Sequence, residues 1–248
     1  MSSSNKIAYH ARSISLPTRS HPLAAAVEEQ LCNLRTSDLT SSISNNLVAL
    51  KDLYECVEDF LSTNEGKCLD TVLDRSVMLL DICGTIKDVL SQMKQSAQDL
   101  QSSIRRRSNE FDAYMSSRKK ICKVIRNCLS DLKRNSKTND LVTEVSLLTE
   151  VEATTLAVFE SVLSFLSAPK QSNWSLVSKL TTKRATQQVT NEVTKVDIAL
   201  KSKDIEAKEV QKPLADLEMN LQDLEDGLES VFRCLIKNRV SLLNILNQ

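Results

Sequence analysis

Between Leu214 and Ile245 an apolar residue returns every three or four positions: Leu214, Leu217, Leu221, Leu224, Leu228, Val231, Leu235, Leu242 and Ile245, with Asn238 as the single polar member. Only an α-helix gathers such positions onto one face, because it turns once in about 3.6 residues. A buried Asn can fix the register of a helical seam. Near a helix end it more often meets water, and water is the expectation for Asn238. Three glycines and four prolines in 248 residues are few against usual shares of about 7% and 5%. Sheets and loop-rich enzymes need those residues at turns, so the shortage points to long helices and short connections.

The same rhythm runs through earlier segments. Ile43, Leu47, Leu50, Tyr54, Val57 and Leu61 form one stripe, and Ala49, Leu53, Cys56 and Phe60 widen it. That width suits a helix packed by several neighbours. A third stripe runs from Leu69 through Val72, Leu79, Cys83, Ile86, Leu90, Met93, Ala97 and Leu100 to Ile104, interrupted only at Ser76. It narrows beyond Gln92, where the helix is expected to emerge at the edge of a bundle. The step stays in phase through Phe111, Tyr114, Ile121, Ile125, Cys128 and Leu132. Ser108 or Asn109 can cap a new helix, so a break or bend is expected there, although phase alone permits one long helix.

A further helix from about Asp140 ends at Leu166, before Pro169, and a shorter one covers Trp174 to Arg184. Val189, Val193, Val196 and Leu200 open another, which Pro213 should kink or interrupt. The fold class is therefore all-α: an antiparallel helical bundle with long helices, coiled-coil-like seams and protruding hairpins. Residues 1–22 read as a disordered, basic, Ser-rich tail, and 23–248 as a single bundle domain. The narrow seams at 93–104 and 214–228 would also suit a dimeric coiled coil, which leaves a homo-oligomer open.

Chemistry is sparse. Both histidines, His10 and His21, belong to the tail, so the body has none to serve as general base or metal ligand. Asp74, Asp81 and Asp88 share a helix face and read as a solvated stripe. Gly84 stands alone, so it reads as a close helix contact and not as a phosphate cradle. The seven cysteines show no C-x-x-C pair, which fits reduced thiols on apolar stripes better than zinc or disulfides. No catalytic, cofactor or metal site is expected. No apolar run reaches the roughly 18–20 residues of a membrane span. A cytoplasmic location is expected, with an organelle transit peptide as the alternative for the acid-free tail.

Charge is unevenly spread. Eleven Lys/Arg face three acids between Ile104 and Lys137, whereas nine acids face two lysines between Asp204 and Glu229. These two segments are expected to lie side by side. The basic face formed by Arg105, Arg106, Arg107, Arg118, Lys119 and Lys120 offers a second use, contact with an anionic membrane. Nucleic acid is disfavoured, because the available stacking aromatics, Phe111 and Tyr114, sit on the apolar seam. In the tail, "RSISLP" places Arg12, Ser15 and Pro17 in a pattern that suits 14-3-3 docking once Ser15 is phosphorylated. "RRRS" makes Ser108 a second candidate phosphosite.

The blocks "RSISLPTRSHPL", "LKDLYECVEDFL", "LLDICGTIKDVLSQMK", "DLQSSIRRRS", "YMSSRKKICK" and "ESVFRCLIKNRVSLLNILN" follow in that order. From about Arg12 to Asn247 the chain thereby resembles the plant family called domain of unknown function 241, related to the BYPASS-like proteins. The resemblance implies a mostly helical plant protein linked to root and shoot development, and it brings no reaction. In relatives the arginine run often leads into glycines, whereas here "SNEF" follows, which favours a continuous helix through Ser108. The function expected is that of a non-enzymatic protein whose helix faces bind protein partners.

Overall fold

The computed structural model describes residues 22–36, 42–62, 69–106, 111–135, 146–167, 191–200 and 207–247. Among them are seven helices and no strand: α1 (Pro22–Thr36), α2 (Ile43–Leu61), α3 (Leu69–Arg105), α4 (Phe111–Asn135), α5 (Ser146–Ser167), α6 (Glu192–Ala199) and α7 (Ala207–Leu246). The all-α expectation holds. The readings on the tail, on Arg107 and Ser108, and on Trp174 to Arg184 lie outside the described residues.

The longest helices, α3 and α7, form the spine. Arg239 of α7 reaches Leu73 and Ser76 of α3, Lys87 reaches Glu229, Lys94 reaches Glu225, and Gln101 reaches Glu218. Each step along α3 is matched by a step back along α7, so the two run antiparallel. α2 lies on α7 in the parallel sense, with Leu47 against Gly227 and the Tyr54 carbonyl against Asn238. α4 returns along α3, with Ser117 bonded to Ser96 and its last turns beside Met78 to Thr85. α5 then turns back along α4: Cys122 bonds the Ser167 carbonyl, and Lys133 approaches Glu160. Thus α3 and α5 run one way while α2, α4 and α7 run the other. Because α3 and α4 run antiparallel, they are two helices and not one continuous helix.

The sequence stripes become the core. Leu47, Leu50, Tyr54, Val57 and Leu61 of α2 are buried, as are the α7 positions from Leu214 to Leu242. Each fully buried aliphatic side chain contributes about 1.5–3 kcal/mol of transfer free energy, so this core outweighs local propensity. That explains Pro213, which lies in the second turn of α7 without ending it. Burial of Val210, Leu214 and Leu217 on either side of it holds the helix together, although one backbone bond is lost. α6 ends at Ala199, with Leu200 as its C-cap. At the opposite end Asn191 caps α6, accepting from the Thr194 backbone N–H at 2.9 Å while donating to the Phe165 carbonyl at 2.7 Å.

α1 is a helix whose pattern was also present in the sequence. Pro22 stands at its first position, where its missing N–H costs nothing, and Val27, Leu31 and Leu34 are buried. It packs on α2 and α5. The bundle therefore has a broad end, where α2, α5 and the last turns of α4 pack on the first half of α3 and the last third of α7, with α1 laid over α2 and α5. Its slender end is formed by Met93–Arg105 of α3, the start of α4, the small α6 and the first half of α7. The narrow seams at 93–104 and 214–228 are filled within the chain, by each other and by Val193 and Val196 of α6.

Candidate interaction surfaces

Three polar residues interrupt the apolar stripes, and the structure buries all three. Ser76 donates to the Leu73 carbonyl at 2.6 Å and accepts from Arg239 at 2.8 Å. Asn238, expected to meet water, is only 5% exposed, and its amide donates to the carbonyls of Tyr54 and Cys234. The end of α7 is not frayed at Asn238, because α2 lies along it. Arg118 is 4% exposed. It occupies the step missing from the α4 stripe between Tyr114 and Ile121, so it leaves the expected basic face and points inward. Neighbouring helix residues are set about 100° apart, which is why Lys119 and Lys120 remain outside.

Among the described residues the Arg118 guanidinium has one ion-pair partner, Asp197 of α6, at 3.4 Å, and its three nitrogens make no hydrogen bond. Asp197 also accepts from the Tyr114 hydroxyl at 3.4 Å. Burial, reinforced by the nearby Asp197 charge, pushes the Tyr114 phenol well above its usual value, so it stays protonated as a donor. Burial likewise pushes the Cys83 thiol up to about 12, which removes it from thiolate chemistry. Cys32 is exposed.

The other described cations of the basic stretch are outside. Arg105, Arg106, Lys119, Lys120, Lys123 and Arg126 are exposed. No ion pair joins Lys119, Lys120, Lys123 or Arg126 to an acid among the described residues. Among the described residues no ion pair joins the basic segment to the acidic one, contrary to expectation. Glu218, Glu225 and Glu229 of α7 face Gln101, Lys94 and Lys87 of α3 instead. Topology follows the apolar stripes, and an exposed ion pair worth about 0–1 kcal/mol cannot redirect it.

Asp74, Asp81 and Asp88 are exposed, as a solvated stripe requires. Among the described residues no group of three or more His, Cys, Asp or Glu is placed to hold a metal ion. None of the described helices is long and apolar enough to cross a membrane. The close helix contact assigned to Gly84 belongs to Gly227. A Cβ at Gly84 would meet nothing within 4 Å, whereas one at Gly227 would stand 3.1 Å from Leu47.

An apolar surface also appears that the stripes did not announce. Ile236, Val240 and Leu243 of α7 are 42%, 50% and 37% exposed. Their spacing of four and three sets them on one helix face. Val77 of α3, next to the Ser76 that Arg239 holds, is exposed at the same height.

The family model described as Protein BPS1 matches residues 46–245, from α2 to the last turn of α7. The chain belongs to the BPS1 family. This is the plant group to which its sequence blocks pointed, and membership suggests a developmental regulator of unknown mechanism. The BPS1 match includes the spine, the Arg118–Asp197 pair and the Ile236–Leu243 stripe. It leaves out α1 and the tail, so the "RSISLP" block lies outside the family match. No curated protein and no solved structure matches the chain.

Proposed function

We propose that this BPS1-family member is a non-enzymatic interaction protein of root and shoot development, acting in the cytoplasm by presenting helix faces to protein partners. The observation that carries the reading is the exposed stripe of Ile236, Val240 and Leu243, on a helix whose seam from Leu214 to Leu242 is buried. Such a contiguous apolar strip on a polar surface is what a partner covers. Proximity labelling in intact plant tissue tests it. Ile236→Lys with Val240→Glu should remove a discrete set of labelled proteins while thermal melting stays unchanged. An identical labelled set would refute the reading.

The tail adds regulation: phosphorylated Ser15, with Arg12 and Pro17, docks a 14-3-3 protein, and Ser108 is a second phosphosite. Ser15→Ala should abolish 14-3-3 capture by the full chain, and unchanged capture counts against it. A second reading is favoured by Lys119, Lys120, Lys123 and Arg126 on α4, which have no ion-pair partner among the described residues. In it, the exposed part of the 105–126 face rests on an anionic membrane. Sedimentation with acidic liposomes, lost on Lys119→Glu with Lys120→Glu, would support that reading, and no sedimentation would remove it.

A further inference from the structure

At the broad end a cleft of about 330 Å³ lies between α2, α3, α5 and α7. Its volume falls within the range of small-molecule sites, roughly 300–1,000 Å³. Its inner wall is apolar: Val57, Leu61, Leu79, Val151, Leu235 and Leu242 line it, and all are buried. The exposed Asp70 and Thr71 place its mouth at the start of α3. The half-buried Leu148 and Thr149 bring the first turn of α5 to the wall.

The polar groups deeper in the wall are engaged or enclosed. The Tyr54 hydroxyl pairs with Thr155 at 2.8 Å. Asn238 Nδ2 donates to two carbonyls, at 3.1 and 3.0 Å, and its oxygen is enclosed by protein. Arg75 Nη1 donates to both carboxylate oxygens of Glu152, at 2.8 and 2.7 Å. Arg75 is not free to turn to an entering anion, because Glu152 is only 6% exposed and would be left as an uncompensated buried carboxylate. Asp70 differs. Among the described residues it has no ion pair and no hydrogen-bond partner, and neither have the hydroxyls of Thr71 and Thr149. The charged groups on the wall are Asp70, Arg75 and Glu152. The last two cancel, which leaves the carboxylate of Asp70 uncompensated at the mouth.

We propose that this cleft binds a small amphiphilic amine, its compact apolar body inside and its ammonium group at the mouth against Asp70. Removal of the body from water supplies most of the affinity. Asp70 supplies the selection for charge, because it accepts a charge-assisted hydrogen bond from an ammonium. The hydroxyls of Thr71 and Thr149 offer further acceptors for the remaining N–H groups. An anion of the same shape is repelled by Asp70 and finds Arg75 held by Glu152. This site is separate from the α7 stripe and from the α4 cations.

The test titrates the full chain with three compounds that share one rigid apolar cage and differ in the head group: 1-adamantylamine, 1-adamantanol and adamantane-1-carboxylate. Expected is saturable binding of one amine per chain, with a Kd at or below about 1 mM for a molecule of this size. The amine should bind about threefold to fivefold more tightly than the alcohol, the scale of an ion pair open to water, and the carboxylate most weakly. Asp70→Asn should abolish the advantage of the amine and leave the alcohol unchanged. Leu148→Trp, at a half-buried wall position, should weaken all three by at least about tenfold by filling the space. Absence of saturable amine binding would overturn the proposal. So would a carboxylate that binds as tightly as the amine, or an amine-to-alcohol ratio that Asp70→Asn leaves unchanged. Unchanged affinity in a folded Leu148→Trp chain would place the compounds elsewhere and overturn it too. If that variant does not fold, the head-group series on the unaltered and Asp70→Asn chains decides.

Discussion

The broad and slender ends of the bundle bury similar aliphatic side chains but treat polar ones differently. At the broad end Ser76, Tyr54, Arg75 and Glu152 make hydrogen bonds of 2.7–2.8 Å across helices, and Asn238 Oδ1 is the buried atom there without a partner among the described residues. At the slender end Arg118 has, among the described residues, a single partner at 3.4 Å and three nitrogens without hydrogen bonds. The number of helices around the spine accounts for the contrast. At the broad end α2 and α5 bring side chains within reach, Tyr54 and Thr155 of each other and Glu152 of Arg75. At the slender end the eight-residue α6 supplies Asp197 alone. A polar group at a core position stabilises only where neighbours complete its bonds.

The largest expected effect separates the ends by coverage. Leu228→Asp and Leu221→Asp each bury an uncompensated carboxyl and should cost about 3–5 kcal/mol in urea unfolding. Leu228 should cost more, because Leu47 of α2 packs at the adjoining Gly227. Equal losses would break the comparison, and unchanged melting would show the seam exposed. A smaller effect of opposite sign is expected at the two polar clusters. Tyr54→Phe removes a completed hydrogen bond and should cost about 1 kcal/mol. Replacing Arg118 by Met together with Asp197 by Leu exchanges a poorly bonded pair for apolar contact, and should be neutral or stabilising by about 1–3 kcal/mol. A net loss in the double variant would show the slender-end pair to be well satisfied.

The glycines give the next contrast. Gly84→Ala has open space and should gain about 0.5–1 kcal/mol from helix propensity. Gly227→Ala must press on Leu47 at 3.1 Å and should show no such gain. The smallest effect is electrostatic. Hydrogen bonds from Lys87 and then Arg233 hold the Glu229 carboxyl below its ordinary value of 4.5. Its folded value lies below its unfolded one, so its contribution is present above 4.5 and is lost as pH falls through the lower, folded value. Lys87→Met should therefore shrink the fall in Tm between neutral pH and about pH 3. An unchanged fall would mean that the Lys87 pair contributes nothing to acid stability.

Most of the helices were legible because a stripe of three-four spacing has no other regular solution. The buried polar positions were half legible. Ser76 and Arg118 stand where a stripe skips a step, and Asn238 stands on one, so their inward direction follows from phase. Which partners they meet depends on helices distant in sequence. α1 carried its signal in Val27, Leu31 and Leu34 behind Pro22, too short a run to attract notice beside the longer seams. The pairing of α7 acids with α3 lysines was not legible, because a run of charge records composition and not the neighbour chosen by apolar packing. Nor was the cleft, whose wall gathers residues from Tyr54 to Leu242.

The central claim is that one spine carries a firmly held broad end and a more easily opened slender one. Native-state hydrogen exchange along α7 tests it most directly, because each amide reports its own opening free energy. Protection should be greatest from Leu228 to Leu242, where α2 and α3 flank the helix, and should fall steadily from Leu221 back to Ala207. Uniform protection along all of α7, or stronger protection before Leu221 than after Leu228, would contradict the account.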